Sequence, residues 1–346
     1  MALLNENPAL PVDHGGSFER ARKLFPNAPE PWIDLSTGIN PHSYPLFDLP
    51  ATAFTRLPEP SRAKELTAIA AKAYGAASSR QIVAAPGTQI LLPRVASLVG
   101  PGRAMVLGPT YAEHERAARI AGHDVSITGD FEALFGADLA ILVNPNNPDG
   151  RIVPRQDVLR LARHLQAKGG LLVVDEAFMD VGPREESVAG DVALGGLVVL
   201  RSFGKFFGLA GVRLGFGISS EEIAAKLDAE LGPWAVSGQA LEFGIKALSD
   251  EVWQSEIRVR LALEAGRFAS LFSRFGVEVS GGTSLFSFFR IEKAQNLFEF
   301  LGKNGVILRN FADRPNDFRA GLPASEAEWQ RLESILQRWA EEENAS

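Results

Sequence analysis

Gly196-Leu197-Val198-Val199-Leu200-Arg201-Ser202-Phe203-Gly204-Lys205-Phe206-Phe207-Gly208 passes from an apolar run straight into an aromatic, glycine-broken segment with one lysine. A short apolar run bounded by glycine reads as a buried strand. Thirty positions before the lysine, Leu171-Leu172-Val173-Val174 leads in the same way into Asp175-Glu176-Ala177-Phe178. Working outward, similar runs occupy 81–85, 103–107, 124–127, 138–143, 170–174, 197–200 and 214–218. Amphipathic stretches lie between most of them, such as 154–168, where a proline stands at the helix start. The alternation predicts βαβ units, an α/β fold and a mostly parallel central sheet flanked by helices. Ligands of such sheets bind beyond the carboxyl ends of the strands. Lys205, Asp175, Asn147 and the pair Gly87-Thr88 all fall there.

The flanks read differently. Residues 1–60 are rich in proline and polar groups and predict an irregular arm with one short strand at 32–35. Helical spacing follows over 62–74, with Ser61 as N-cap and Gly75 as stop. After about 220 the spacing predicts helices at 234–248, 250–275, 293–303 and 325–341, the last opened by Ser325 and Glu328 at capping-box spacing. Strands are expected near 277–280, 285–291, 306–309 and 317–320. The division expected is a large ligand-binding domain over 46–235, with 1–45 and 236–346 forming an arm and a smaller α+β domain. The chain has 346 residues, 46% of them hydrophobic and 22% charged, as in an ordinary globular protein. A net charge of -7 and the lack of a dense basic run argue against a nucleic-acid partner. The absence of cysteine excludes disulfides and thiolate chemistry and is compatible with a reducing cytoplasm. No run approaches a membrane span, and the N-terminus shows no signal-peptide pattern.

Chemistry concentrates at a few positions. A lone loop lysine is usually a solvated one, but Phe203, Phe206 and Phe207 surround Lys205 with apolar groups that free a nucleophilic amine. A lysine that can form a Schiff base and an aspartate that can pair with a ring nitrogen are what pyridoxal phosphate requires. Ser202 and Arg213 can hold a phosphate by a hydroxyl bond and a guanidinium fork. Pro86-Gly87-Thr88-Gln89, before a helical stretch at 90–99, offers backbone amides to the same phosphate. Asn144-Pro145-Asn146-Asn147-Pro148-Asp149-Gly150 is a turn by composition, in which Asn147 can donate to the cofactor's phenolic oxygen. Tyr111 can stack on its ring. The five histidines show neither metal-ligand spacing nor a carboxylate pattern, and no metal is expected. His14, followed by Gly15-Gly16, alone suggests an anion contact. No dinucleotide fingerprint is present, so a nucleotide-dependent oxidoreductase ranks last.

In the order Gly87-Thr88, Tyr111, Asn147, Asp175, Ser202, Lys205, Arg213, the chain resembles fold type I pyridoxal phosphate enzymes of the aspartate aminotransferase superfamily over nearly its whole length. Within it, the chain is most similar to the threonine-phosphate decarboxylases of cobalamin biosynthesis, close relatives of the histidinol-phosphate aminotransferases. That match is carried by His14-Gly15-Gly16, Asp34-Leu35-Ser36-Thr37-Gly38-Ile39-Asn40-Pro41, Pro109-Thr110-Tyr111-Ala112-Glu113-His114-Glu115 and Asp317-Phe318-Arg319-Ala320-Gly321-Leu322-Pro323. The resemblance implies a homodimer with sites built across its interface and a small phosphorylated amino acid as substrate. It implies catalytic roles for Lys205 and Asp175, and cofactor contacts from Gly87, Thr88, Gln89, Tyr111, Asn147, Ser202 and Arg213. It implies substrate contacts from His14, Gly38, Asn40, Arg309 and Arg319. Two positions depart from its pattern. Phe178 replaces a tyrosine that would bond the phenolic oxygen, and Leu57, in Arg56-Leu57-Pro58, replaces one that would reach the partner subunit's cofactor phosphate. Decarboxylation is the expected reaction. The alternatives are a histidinol-phosphate-type aminotransferase and a non-catalytic ligand-binding protein on the same fold.

Overall fold

The computed structural model describes residues 14–345; the N-terminal segment read for a signal peptide lies outside them. Two compact units are present. The first comprises Tyr44–Asn147 and Arg151–Trp253, the second residues 14–43, Pro148–Gly150 and the chain from Gln254 onward.

The first unit is built on a seven-stranded sheet. Its order across the sheet is Ile82–Ala85, Gly215–Ser219, Leu197–Ser202, Leu171–Asp175, Leu139–Val143, Arg103–Leu107, Asp124–Thr128. Only Gly215–Ser219 runs against its neighbours. The mostly parallel sheet expected from the alternating runs is therefore present, and six strands end at one edge. The three central strands are buried along almost their whole length, which is why they read as continuous aliphatic runs rather than as alternating ones. Phe203, Phe206, Phe207 and Phe216 are fully enclosed beside the sheet, and each contributes roughly 1.5–3 kcal/mol by burial.

Several element boundaries differ from expectation. The helix expected at 62–74 spans Pro60–Tyr74, with Glu59 rather than Ser61 at the N-cap, because Pro60 at the first turn sets the entry angle. Gly75 ends it in the left-handed region, at φ 78°. The stretch at 90–99 is a 3-10 turn, Thr88–Ile90, followed by a short helix, Leu91–Ala96. Helix Glu221–Leu231 was not anticipated, although Ser220 caps it and Glu221 and Glu222 occupy its first turn. Helix Phe18–Leu24, capped by Ser17, lies in the arm read as irregular. Helix Gly238–Ser249 belongs to the first unit, whereas the division drawn at 235/236 assigned it to the smaller domain. It packs on Pro60–Tyr74, and Glu242 takes a fork from Arg62 at 2.9 and 2.5 Å.

In the second unit, strands Arg309–Phe311, Arg314–Ala320, Phe286–Arg290 and Gly281–Thr283 form an antiparallel sheet. The strand expected near 277–280 lies at Gly281–Thr283. Ile33–Asp34 pairs in parallel with Val306–Ile307. Phe289 stacks on Phe318 with centroids 4.5 Å apart, and Phe268 and Phe272 close the core around them. Ser325 accepts the Glu328 amide at 3.3 Å, while the Glu328 carboxylate accepts the amide of Ala324 at 2.7 Å, one residue before the expected partner. Among the described residues, no helix is long and apolar enough to cross a membrane. Among them too, no group of histidine and carboxylate side chains is arranged to hold a metal ion.

Candidate active site

Strand register brings the sequence-predicted residues of the first unit to one sheet edge. Ala85 pairs with Gly215, Gly215 with Ser202, and Leu200 with Asp175. The loop after Ala85 carries Gly87 and Thr88, and Arg213 precedes Gly215. Lys205 follows Ser202 on the single-turn helix Phe203–Phe206.

Asp175 ends its strand at 6% exposure. Its Oδ1 accepts the Ala177 amide at 3.0 Å, and its Oδ2 lies 2.8 Å from Nε2 of the buried His114. The second contact corrects the reading that no histidine faces a carboxylate. His114 lies 61 positions from Asp175, on the buried face of helix Glu113–Ile120, where a histidine passes for core. Lys205 Nζ stands 5.8 Å from the centroid of the Phe178 ring, three residues past Asp175. The amine therefore lies within reach of an aromatic ring.

Behind this edge lies a buried charge network. Arg201 Nη1 donates to Glu176 at 2.9 Å and Nη2 to Asp180 at 2.6 Å, with the guanidinium 4.5 Å from the Tyr74 ring centroid. Ser187 Oγ and the Val188 amide also donate to Glu176, at 2.6 and 2.8 Å. Burial pushes the Glu176 carboxyl upward in pKa, against the pull of Arg201 and these donors. Glu176 adjoins Asp175 and Arg201 adjoins Ser202, so the ion pair ties together the two strand ends that present those groups.

The phosphate-type groups converge. Gly87 has φ 85° and ψ 158°, a conformation essentially limited to glycine. A Cβ there would lie 2.7 Å from Arg213 Nη2, and one on Gly215 would lie 2.6 Å from the Thr88 nitrogen. The guanidinium thus lies against Gly87, and the Thr88 amide against Gly215, only because neither glycine carries a side chain. Ser202 occupies the N-cap of the Lys205 helix, yet its hydroxyl makes no capping bond. These are the groups and the clearance that a phosphate ester on a pyridine ring needs.

Tyr111 and Asn147 sit on two loops that are cross-linked. Thr110 Oγ1 donates to Asn146 Oδ1 at 2.7 Å, and Asn146 Nδ2 donates to the Pro109 carbonyl at 3.0 Å. Asn144 is consumed by Val153, through both its amide groups. Asn147 is the half-buried asparagine of this turn. Gln89, an expected cofactor contact, has its side chain engaged by Tyr111 and Glu113.

The expected substrate residues lie in the second unit. Arg319 pairs across strands with Arg309. It is buried, its Nη2 donates to the Ser36 carbonyl at 2.9 Å, and its guanidinium lies 5.1 Å from the Phe286 ring centroid. Burial and the neighbouring Arg309 charge lower its pKa to about 10. The same Ser36 accepts the Gly16 amide on Oγ at 2.7 Å, which ties the His14-Gly15-Gly16 segment to this cluster. His14 is exposed there. Gly38 and Asn40 are buried, and Asn40 Oδ1 accepts the His42 amide at 2.8 Å.

Comparison with known proteins identifies the family. The family described as aminotransferase class I and II matches residues 48–332. The chain is 39% identical to the threonine-phosphate decarboxylase of Pseudomonas aeruginosa, over 94% of this chain and 97% of that protein. It is equally similar to the threonine-phosphate decarboxylase of a Sinorhizobium species, at 39% over 95% and 98%. A crystal structure of histidinol-phosphate aminotransferase from Sinorhizobium meliloti, in complex with pyridoxal-5'-phosphate, shares the fold with a TM-score of 0.75. It is 22% identical and covers 84% of this chain and 85% of its own. With a match over most of its length and a sheet edge built on this plan, the chain belongs to the aminotransferase class I and II family.

Proposed function

We propose that the protein is a pyridoxal phosphate-dependent decarboxylase that converts L-threonine O-3-phosphate to (R)-1-amino-2-propanol O-2-phosphate and carbon dioxide, in cobalamin biosynthesis. The observation that carries this reading is the 39% identity, over nearly the whole chain, to two threonine-phosphate decarboxylases. The convergence of Gly87, Arg213 and Ser202 beside Lys205 and the buried Asp175 gives the cofactor a fitting seat.

When bound, pyridoxal phosphate supplies an aldehyde for the substrate amine and a cationic ring that accepts the electron pair released at Cα. Lys205 is the amine that would hold it covalently, and Asp175 the carboxylate for its ring nitrogen, oriented by His114 and the Ala177 amide. Ser202, Arg213 and the Gly87-Thr88 backbone would take the phosphate, Tyr111 the ring face and Asn147 the phenolic oxygen. Phe178 has no hydroxyl, so Asn147 would take that last task without the tyrosine the family often has. Lys205 is also the group that returns a proton to Cα once carbon dioxide has left. Arg319 and Arg309 would answer the substrate's anionic groups, and His14, Gly38 and Asn40 are the other substrate contacts that the family resemblance implies.

Incubation with threonine phosphate tests the reading. Carbon dioxide released without any amino acceptor supports it. A requirement for 2-oxoglutarate would instead identify a histidinol-phosphate-type aminotransferase, the activity named for the solved relative described above. We propose further that the protein is a cytoplasmic homodimer. Leu46, Phe54, Leu57 and Trp234 are large apolar side chains left exposed on the first unit, and such surface favours a partner.

A further inference from the structure

We propose that Glu113 is a positioning residue for the cofactor pocket: through Gln89 it holds the hydroxyl of Tyr111, and so its ring, in one orientation. The inference rests on the reading of the site given above. Glu113 opens helix Glu113–Ile120 and is only 4% exposed, a setting in which a carboxylate needs partners. Its Oε2 accepts from Gln89 Nε2 at 2.6 Å and from Arg116 Nη1 at 3.2 Å. An amide whose nitrogen is committed to a carboxylate must turn its oxygen the other way. Gln89 Oε1 accordingly accepts the Tyr111 hydroxyl at 3.2 Å. The carboxylate thus selects which end of the amide meets Tyr111, and its charge polarises that amide into a better acceptor.

The next residue, His114, bonds Asp175 and sets its ring edge-on to Tyr111, with centroids 5.8 Å apart at 83°. Two consecutive residues at one helix start therefore address the expected ring-face and ring-nitrogen contacts together. Gln89, Glu113 and Arg116 also line an open cleft of about 350 Å³, with Ile90, Pro93 and Ile120 among its walls. Gln89 is exposed, so a substitution there leaves the core intact. The competing role for Glu113 is that of an acid stabilising a helix N-terminus.

Carbon-13 labelling at tyrosine Cζ separates the two roles. The chain has three tyrosines, and Tyr111→Phe identifies the resonance of interest. In Glu113→Gln, the Tyr111 resonance of the cofactor-free protein should shift, because an uncharged neighbour lets Gln89 turn. The pyridoxal phosphate dissociation constant should rise about fivefold to tenfold, as for the loss of one hydrogen bond. Gln89→Met should reproduce both changes with the helix start untouched. A role confined to the helix lowers only the thermal midpoint of Glu113→Gln and leaves resonance and cofactor affinity as in the wild type; that result overturns the proposal. If the wild type takes up no pyridoxal phosphate, the functional reading falls, while the resonance of the cofactor-free chain still decides the relay.

Discussion

At the scale of single residues, the proposed reaction divides its chemistry between Lys205, which would return a proton, and Asp175, which would pair with a ring nitrogen. Lys205→Ala should abolish the absorbance of the bound imine and lower turnover by at least about 10³-fold, since the covalent anchor and the acid are lost together. Unchanged absorbance would refute the assignment. His114→Phe should leave Asp175 Oδ2 buried without its donor. The expected loss is about 1–3 kcal/mol of unfolding free energy, measured in urea on the cofactor-free chain, together with weaker cofactor retention. Lys205 was legible because aromatic neighbours and a preceding strand mark it. His114 was not, because its partner is set by strand order, and within its own helix it is indistinguishable from a core residue.

Elements hold these residues at fixed separations. The turn after Ile82–Ala85 depends on Gly87 at φ 85°. Gly87→Ala should cost of order 1–3 kcal/mol in backbone strain and push Arg213 away, so cofactor affinity should fall more than overall stability. Equilibrium dialysis set beside thermal melting would show whether it does. The helix carrying Lys205 is braced by Tyr44, whose amide donates to the Phe207 carbonyl at 2.8 Å and whose hydroxyl donates to Asp250 at 3.1 Å. Burial first, and then Asp250, push the Tyr44 phenol up to about 12. A raised folded-state pKa means the folded chain keeps its proton longer than the unfolded chain. That stabilisation is complete below about pH 10, the ordinary phenol value, and is lost as pH climbs towards 12. Unfolding free energy should therefore fall across that window, and less steeply in Tyr44→Phe. Tyr74, which burial raises further still, keeps its own contribution. An identical slope in both proteins would exclude the Tyr44 effect.

At the scale of the whole molecule, the proposed homodimer can be tested on the exposed apolar groups of the first unit. Leu57 is 63% exposed and Trp234 56%, the latter at φ 61°, where a bulky residue is rare. Leu57→Glu with Trp234→Glu should shift the protein from dimer to monomer in sedimentation velocity and lower its activity; a dimer that persists unchanged would place the interface elsewhere.

What the sequence determined by itself was whatever depends on local pattern. Aliphatic runs ending in polar residues marked 170–174 and 197–200 as buried strands, because a strand buried on both faces has no polar side to alternate with. Gly75 marked the end of the helix read at 62–74, because glycine alone takes the left-handed φ of a helix stop at little cost. The order of Gly87, Asp175, Ser202, Lys205 and Arg213 marked the chemistry, because each follows or precedes a strand end. Only the tertiary structure decided which strand ends stand side by side, and with them every contact between distant residues: His114 against Asp175, Arg213 against Gly87, Glu176 against Arg201, and Ser36 between Gly16 and Arg319. Sheet order and cross-strand register arise from packing the entire core at once, and no window of neighbouring residues contains that information.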